Sequence, residues 1–126
     1  MNQLSSRNPL VSIVVPTYNR AFCIERAINS VINQTVSDWE LIIVDNNSTD
    51  NTEEIINKFQ DDRISVLKID NKGIVAKSRN LGIKMANGSF VAFLDSDDWW
   101  VAKKLEIALA RLELGSDLVY HDLYKI

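Results

Sequence analysis

The stretch Ser89-Phe90-Val91-Ala92-Phe93-Leu94-Asp95-Ser96-Asp97-Asp98 runs from an apolar strand straight into three carboxylates. An unbroken apolar run of this length suits a strand covered on both faces, as strands of a parallel sheet are. The carboxylates then crowd the strand's end, which is costly without a counter-charge. A divalent cation carrying anionic oxygens is the natural partner. The pattern points to an α/β fold and to metal-assisted handling of a phosphorylated ligand.

Working outward, the same kind of run recurs and alternates with helical spacing. Val11-Ser12-Ile13-Val14-Val15, stopped by Pro16, predicts the first strand. Ile24, Ala27, Ile28, Val31 and Ile32 form one stripe of a helix over Ala21 to Gln34. Leu41-Ile42-Ile43-Val44 is the second strand, ending at Asp45. Asp50 and Glu53 are spaced as a capping box for a second helix carrying Ile55, Ile56 and Phe59. Ile64 to Ile69 makes a third strand, and Gly73 opens a third helix that runs to about Asn87 and stops at Gly88. Ser89 to Leu94 is the fourth strand. Leu105, Ala108, Leu109 and Leu112 give the stripe of a fourth helix, Gly115 stops it, and Asp117 to Tyr120 begins a fifth strand. Strand and helix in alternation imply a mostly parallel sheet with helices on both faces.

Ligands of such sheets bind outside the carboxyl ends of the strands, near the point where strand order reverses. Pro16-Thr17-Tyr18-Asn19-Arg20, Asp45 to Asp50 and Asp95 to Asp98 all fall on that edge. Each has a plainer explanation. Proline could simply end the first strand, polar turn residues are what any such connection uses, and Asp98 could be only the N-cap of the fourth helix. Arg79 and Asn80 could lie on a solvated helix face. For Cys23 a buried apolar role is favoured, for His121 a structural or surface role, and for Trp99 and Trp100 anchorage of the fourth helix.

Composition bounds the remaining possibilities. A chain of 126 residues, 46% hydrophobic, buries a core and reads as one domain over 10–126 behind a frayed segment 1–9. A formal charge of -3 gives no general attraction to nucleic acid or to an anionic membrane, so any phosphate affinity must be local. One cysteine forms no internal disulfide, no run of apolar residues is long enough to span a bilayer, and the first ten residues lack the apolar core of a signal peptide. These features together suggest a cytoplasmic protein, peripheral to the membrane if associated with it at all.

Four segments, in order, carry a family resemblance: Val11 to Arg20, Trp39 to Asp50, Ser78-Arg79-Asn80-Leu81-Gly82, and Gly88 to Asp98. Together they resemble the motifs of family 2 glycosyltransferases of the GT-A fold, a Rossmann-like three-layer α/β/α arrangement. That resemblance implies a hexosyltransferase of cell-wall or polysaccharide biosynthesis. It would take a nucleoside-diphosphate sugar donor and Mg²⁺ or Mn²⁺, invert the anomeric centre, and pass the sugar to a hydroxyl of a saccharide or lipid-linked acceptor. It places the nucleoside against Pro16, Thr17 and Tyr18, with Arg20 nearby and the loop around Asp45 and Asn46 reading the base edge. Asp95, Ser96 and Asp97 would form the DxD motif, with Asp97 the direct metal ligand. Asp95 or Ser96 would contact the ribose or a metal-bound water, and Arg79 would shape the nucleotide pocket.

Two departures qualify the resemblance. Many members carry a second Asp directly after the one that ends the second strand, where it accepts from uracil; here that residue is Asn46. Members also continue past the fifth strand into an acceptor-binding half that supplies a general base, so the base is expected beyond Ile126 rather than at Asp117 or Asp122. The chain therefore reads as a truncated, donor-binding half that binds donor and transfers poorly, with an exposed sheet edge that would favour self-association. Rival readings are a non-catalytic nucleotide-sugar-binding or assembly module and a receiver-like signalling domain. The second fits poorly, because Pro16-Thr17 stands where its acidic pair should. A dinucleotide-dependent oxidoreductase lacks the Gly-rich turn it needs after the first strand.

Overall fold

β1 (Val11–Thr17) lies at the centre of the sheet, and Val11, Ser12, Ile13, Val14 and Val15 are all shielded from solvent. In the computed structural model, which describes residues 8–113 and the strands 118–119 and 123–125, β1 is flanked by parallel neighbours on both sides. These are β2 (Trp39–Asn46) and β4 (Phe90–Phe93), and β3 (Ile64–Ile69) lies parallel beyond β2. Register is set by the apolar residues, with Ile13 opposite both Leu41 and Ala92.

Successive side chains of a strand point to opposite faces. Ile13, Val15, Leu41 and Ile43 enter one core with Ile24, Ala27, Ile28 and Val31 of α1 (Ile24–Ile32), Ile56 of α2 (Thr52–Ile56), and Leu105, Ala108 and Leu112 of α4 (Lys104–Glu113). Val14, Ile42, Val44 and Val91 enter a second, smaller core against Leu81 and Ala86, on the side covered by α3 (Val75–Met85). The third layer comes close because Gly82 has no side chain: a Cβ there would stand 2.3 Å from Val14 Cγ1. This three-layer α/β/α arrangement with a mostly parallel sheet is the expected one.

Several local expectations differ. The fifth strand, β5 (Leu118–Val119), does not extend the parallel set; it pairs antiparallel with β6 (Leu123–Lys125), which itself pairs antiparallel with β4. The sheet order is β3-β2-β1-β4-β6-β5. The few residues between β5 and β6 are too short for a parallel crossover, so the two strands must reverse direction. The Asp50–Glu53 capping box does not form. Asp50 Oδ1 instead accepts from the N–H and hydroxyl of Thr52, Asn51 takes the N-cap position without a side-chain bond, and Glu53 pairs with Lys68.

Asp98 does not cap α4 either, since the helix begins only at Lys104. Its carboxylate accepts from the N–H of Trp99, and the first turn of α4 is served by Gln34, whose Oε1 accepts from Leu105 N at 3.0 Å. Of the two tryptophans, Trp100 packs on the main core, whereas Trp99 is half exposed and anchors nothing there. Cys23 is buried as expected. His121, Asp117, Asp122 and residues 1–7 lie outside the described residues. Among the described residues, no helix is long and apolar enough to cross a membrane.

Candidate nucleotide site

Where β1, β2 and β4 end, their loops meet around a cavity of about 350 Å³ lined by Pro16, Thr17, Tyr18, Arg20, Asn46, Asp95, Ser96 and Asp97. Three segments far apart in sequence converge because β1 pairs with β2 on one side and β4 on the other. The loops after β2 and β4 are thus two strand spacings apart, roughly 10 Å. Asn46 ends β2 and the Asp95–Asp97 turn follows β4, the strands on either side of β1, which leads into the Pro16–Tyr18 segment.

The loops after β1 and β2 are stitched into one unit. Asn19 Oδ1 accepts the N–H groups of Thr49 at 2.7 Å and Asp50 at 3.3 Å, while Asn19 N donates to Ser48 Oγ at 2.9 Å. Arg20 N donates to Thr52 Oγ1, and Ala21 N to Asp50 Oδ2. Asn19 adopts φ 51°, a conformation that Asn tolerates better than most residues. Burial works against ionisation of Asp50, but bonds from the Thr52 hydroxyl and from the Ala21 and Thr52 amides outweigh it and hold its carboxyl below the usual range.

The acidic turn is fixed from beneath by α1 and its lead-in. Cys23 Sγ donates to Ser96 O at 3.3 Å, Arg26 Nη2 donates to Asp97 O at 3.1 Å, and Asp98 N closes the turn on Asp95 O at 2.9 Å. Burial pushes the Cys23 thiol up, which keeps it a neutral donor. Ser96 is buried, so the two side chains that flank it, Asp95 and Asp97, project outward. Arg79 Nη2 bonds Asp95 Oδ1 at 3.1 Å and its guanidinium lies 5.5 Å from the Phe93 ring centre.

Most of the residues singled out in the sequence meet at this cavity, but two stand apart from its wall. Asp45 is buried, and its carboxylate accepts from the N–H and hydroxyl of Ser48, which shapes the loop. Arg79 lines a neighbouring cavity with Phe93, Trp99 and Trp100, and Asp95 belongs to both. Gly73, Val75 and Ser78 also line the first cavity; the sequence singled out Ser78 only as the start of the Ser78–Gly82 segment, and Val75 not at all. They follow β3, on the same sheet edge, and that placement was the available signal.

Exposed carboxylate oxygens at Asp95 and Asp97 form an all-oxygen donor pair of the sort magnesium and manganese accept. Among the described residues, no group of three or more His, Cys, Asp or Glu could hold a metal ion. A cation here would therefore need further oxygens from its ligand, as Mg²⁺ does when bound with phosphates. Thr17 Oγ1, buried at the cavity wall, has no hydrogen-bond partner among the described residues.

The chain is similar to known proteins over most of its length. The family model described as Glycosyl transferase family 2 matches residues 12–126. The chain is 44% identical over 103 residues to the UDP-Glc:alpha-D-GlcNAc-diphosphoundecaprenol beta-1,3-glucosyltransferase WfgD of Escherichia coli, covering 82% of this chain and 41% of that enzyme. The structure of S. aureus TarS in complex with UDP-GlcNAc superposes with a TM-score of 0.78 at 35% identity, over 83% of this chain and 31% of that one. The mannosyltransferase PcManGT from Pyrobaculum calidifontis, in complex with GDP-Man and Mn²⁺, gives 0.73 at 28% identity, over 82% of this chain and 32% of that one. The chain thus spans about two fifths of the length of the curated relative it matches.

Proposed function

We propose, from the premise that this chain belongs to glycosyl transferase family 2, that it forms the donor side of a glycosyltransferase and binds a nucleoside-diphosphate sugar with Mg²⁺ or Mn²⁺. One observation carries the reading: a single cavity is lined both by an amide, Asn46, and by two carboxylates, Asp95 and Asp97. The roughly 10 Å between the strands that lead into them, β2 and β4, suits a nucleoside near Asn46 and a diphosphate near the carboxylates.

Pro16, Thr17 and Tyr18 would hold the nucleoside between them, with the half-exposed Tyr18 ring offering an apolar face and Arg20 a cation close by. Asp45, through Ser48, would keep the base-reading loop in shape. Asp97 would be the chief metal ligand, with Asp95 or Ser96 on the ribose or on metal-bound water. Arg79 would aim Asp95 and add positive charge beside the phosphates. A bound Mg²⁺ or Mn²⁺ would offset the charge that gathers on the nucleoside diphosphate as it leaves. The PcManGT complex supports this choice of ion by analogy.

Transfer would invert the anomeric centre and deliver the sugar to a hydroxyl of a saccharide or lipid-linked acceptor, the acceptor class in WfgD's name. That step needs a general base. The carboxylates lining the described cavity are Asp95 and Asp97, both assigned here to the metal and donor. The 126-residue chain alone should therefore bind donor and transfer it poorly. Calorimetric titration with UDP, dTDP, GDP and CDP, with and without Mn²⁺, tests the reading: at least one should bind, and more tightly with the metal. If all four fail to bind in the presence of Mn²⁺, the donor-site reading is wrong.

A further inference from the structure

Trp99 is half exposed just after the acidic turn, although the large apolar surface of a tryptophan ordinarily finds cover. It lines an open groove of about 640 Å³ with Trp100 and, from α1 and its end, Glu25, Arg26, Asn29, Ser30 and Asn33. Two tethers fix the walls. Arg26 Nη2 donates to Asp97 O at 3.1 Å before the tryptophans, and Gln34 Nε2 donates to Val101 O at 2.7 Å after them. Thr35 N adds a bond to Ala102 O at 2.9 Å. The points of attachment are roughly 12 Å apart at the helical rise. The strip that carries Trp99 and Trp100 is therefore pinned to α1 on both sides of the groove.

The chemistry of the lining selects its occupant. Its charges, Glu25 and Arg26, cancel, which gives no net pull on a nucleotide or a polyanion. Apart from Ala102 and the tryptophans the lining is polar, which suits neither a lipid chain nor the apolar face of a partner helix. Glu25, Asn29 and Asn33 make no side-chain bond to protein among the described residues. Each asparagine amide can both donate and accept, as a sugar hydroxyl does. The C–H face of a sugar ring is apolar and lies flat on an aromatic ring. Asn29 is also a weak helix former in the middle of α1, where Ala, Glu or Lys would favour the helix more.

We propose that this groove binds a neutral saccharide chain, with a sugar ring stacked on Trp99 and its hydroxyls bonded to Asn29, Asn33 and Glu25. It is a second site, since none of its residues lines the nucleotide cavity. Trp99 and Trp100 also line the cavity of Arg79 and Asp95, so a chain held in the groove lies beside the acidic turn. Binding there goes beyond the donor-site reading and needs no nucleotide.

The test is titration of the 126-residue chain, without nucleotide or metal, with cellotetraose and with chitotetraose, neutral chains lacking and carrying acetamido groups. At least one should bind at millimolar concentration and shift the tryptophan emission. Trp99→Ala should weaken that binding about tenfold or more, the scale of an aromatic hot spot. Asn29→Ala should weaken it about fivefold, the scale of one hydrogen bond. The second variant assigns the sugar to this groove, because Asn29 does not line the cavity of Arg79. Alanine favours the helix, so Asn29→Ala decides the matter even if Trp99→Ala folds poorly. Binding of neither tetrasaccharide overturns the proposal, as does binding that either folded variant leaves unchanged. The four nucleoside diphosphates with Mn²⁺ are titrated in parallel. Saccharide binding without nucleotide binding would overturn the donor site alone, and the reverse would overturn the groove alone.

Discussion

Arg79 Nη2 stands 3.1 Å from Asp95 Oδ1, joining the third helix to the acidic turn that follows the fourth strand. Both side chains are substantially exposed, at 42% and 58%, so as a stabilising ion pair it is worth only about 0–1 kcal/mol. Its value lies in where it holds the carboxylate. Arg79→Ala should move the melting temperature little yet weaken Mn²⁺-dependent UDP binding about tenfold, the scale of a charge-assisted hydrogen bond. Paired thermal melts and titrations check this; a large loss of stability with unchanged affinity would assign Arg79 to the scaffold instead.

Asn19 links the first two loops through a left-handed backbone. Asn19→Ala removes the acceptor for Thr49 and Asp50 N–H and also puts an alanine at φ 51°. Asn19→Gly removes the same bonds but tolerates the backbone. Alanine should therefore be the more destabilising of the two by about 1 kcal/mol, read from urea unfolding midpoints. Equal midpoints would mean that the loop relaxes out of the left-handed conformation.

Acid should reach the same loops through Asp50. Its carboxyl is held low, so the stability it contributes is present above its unfolded value near 3.9 and is lost as pH falls through the lower folded value. Asp61, held low chiefly by its bond from Arg63, adds to the same acid loss. Melting temperature should fall from about pH 4 downward, and Asp50→Asn should lessen that fall. An unchanged slope in Asp50→Asn would contradict the role given to the carboxylate.

Gly82 tests the packing beneath the site. Its missing side chain lets the third helix approach Val14, and an alanine Cβ would sit 2.3 Å from Val14 Cγ1 in a buried core. Gly82→Ala should cost about 1–3 kcal/mol in denaturant unfolding, the range for overpacking. A neutral result would show that the helix can slide outward freely.

How much of this was legible in the sequence depends on the distance over which each contact acts. Ile64–Ile69 is matched residue for residue, because a short apolar run has few other fates. The convergence of the Pro16, Asn46 and Asp95 segments was legible too, since parallel topology alone puts strand ends on one edge. Capping was not. The first turn of α4 is served by Gln34 from the far end of α1, and Asp50 reaches forward to Thr52 and across to Ala21. Such choices are made by tertiary neighbours that no local spacing reveals. The division of labour between Asp45 and Asn46 was hidden for the same reason: it turns on which side chain Ser48 and which side chain Asn71 engages.

The central claim is that Asp97 holds a metal ion which in turn holds a nucleoside diphosphate. The most direct measurement is the ratio of UDP or CDP affinities with and without Mn²⁺, in the wild type and in Asp97→Ala. The account predicts a marked gain with Mn²⁺ in the wild type and its loss in Asp97→Ala, with the melting temperature unchanged because Asp97 is exposed. Equal metal dependence in the two proteins would contradict it.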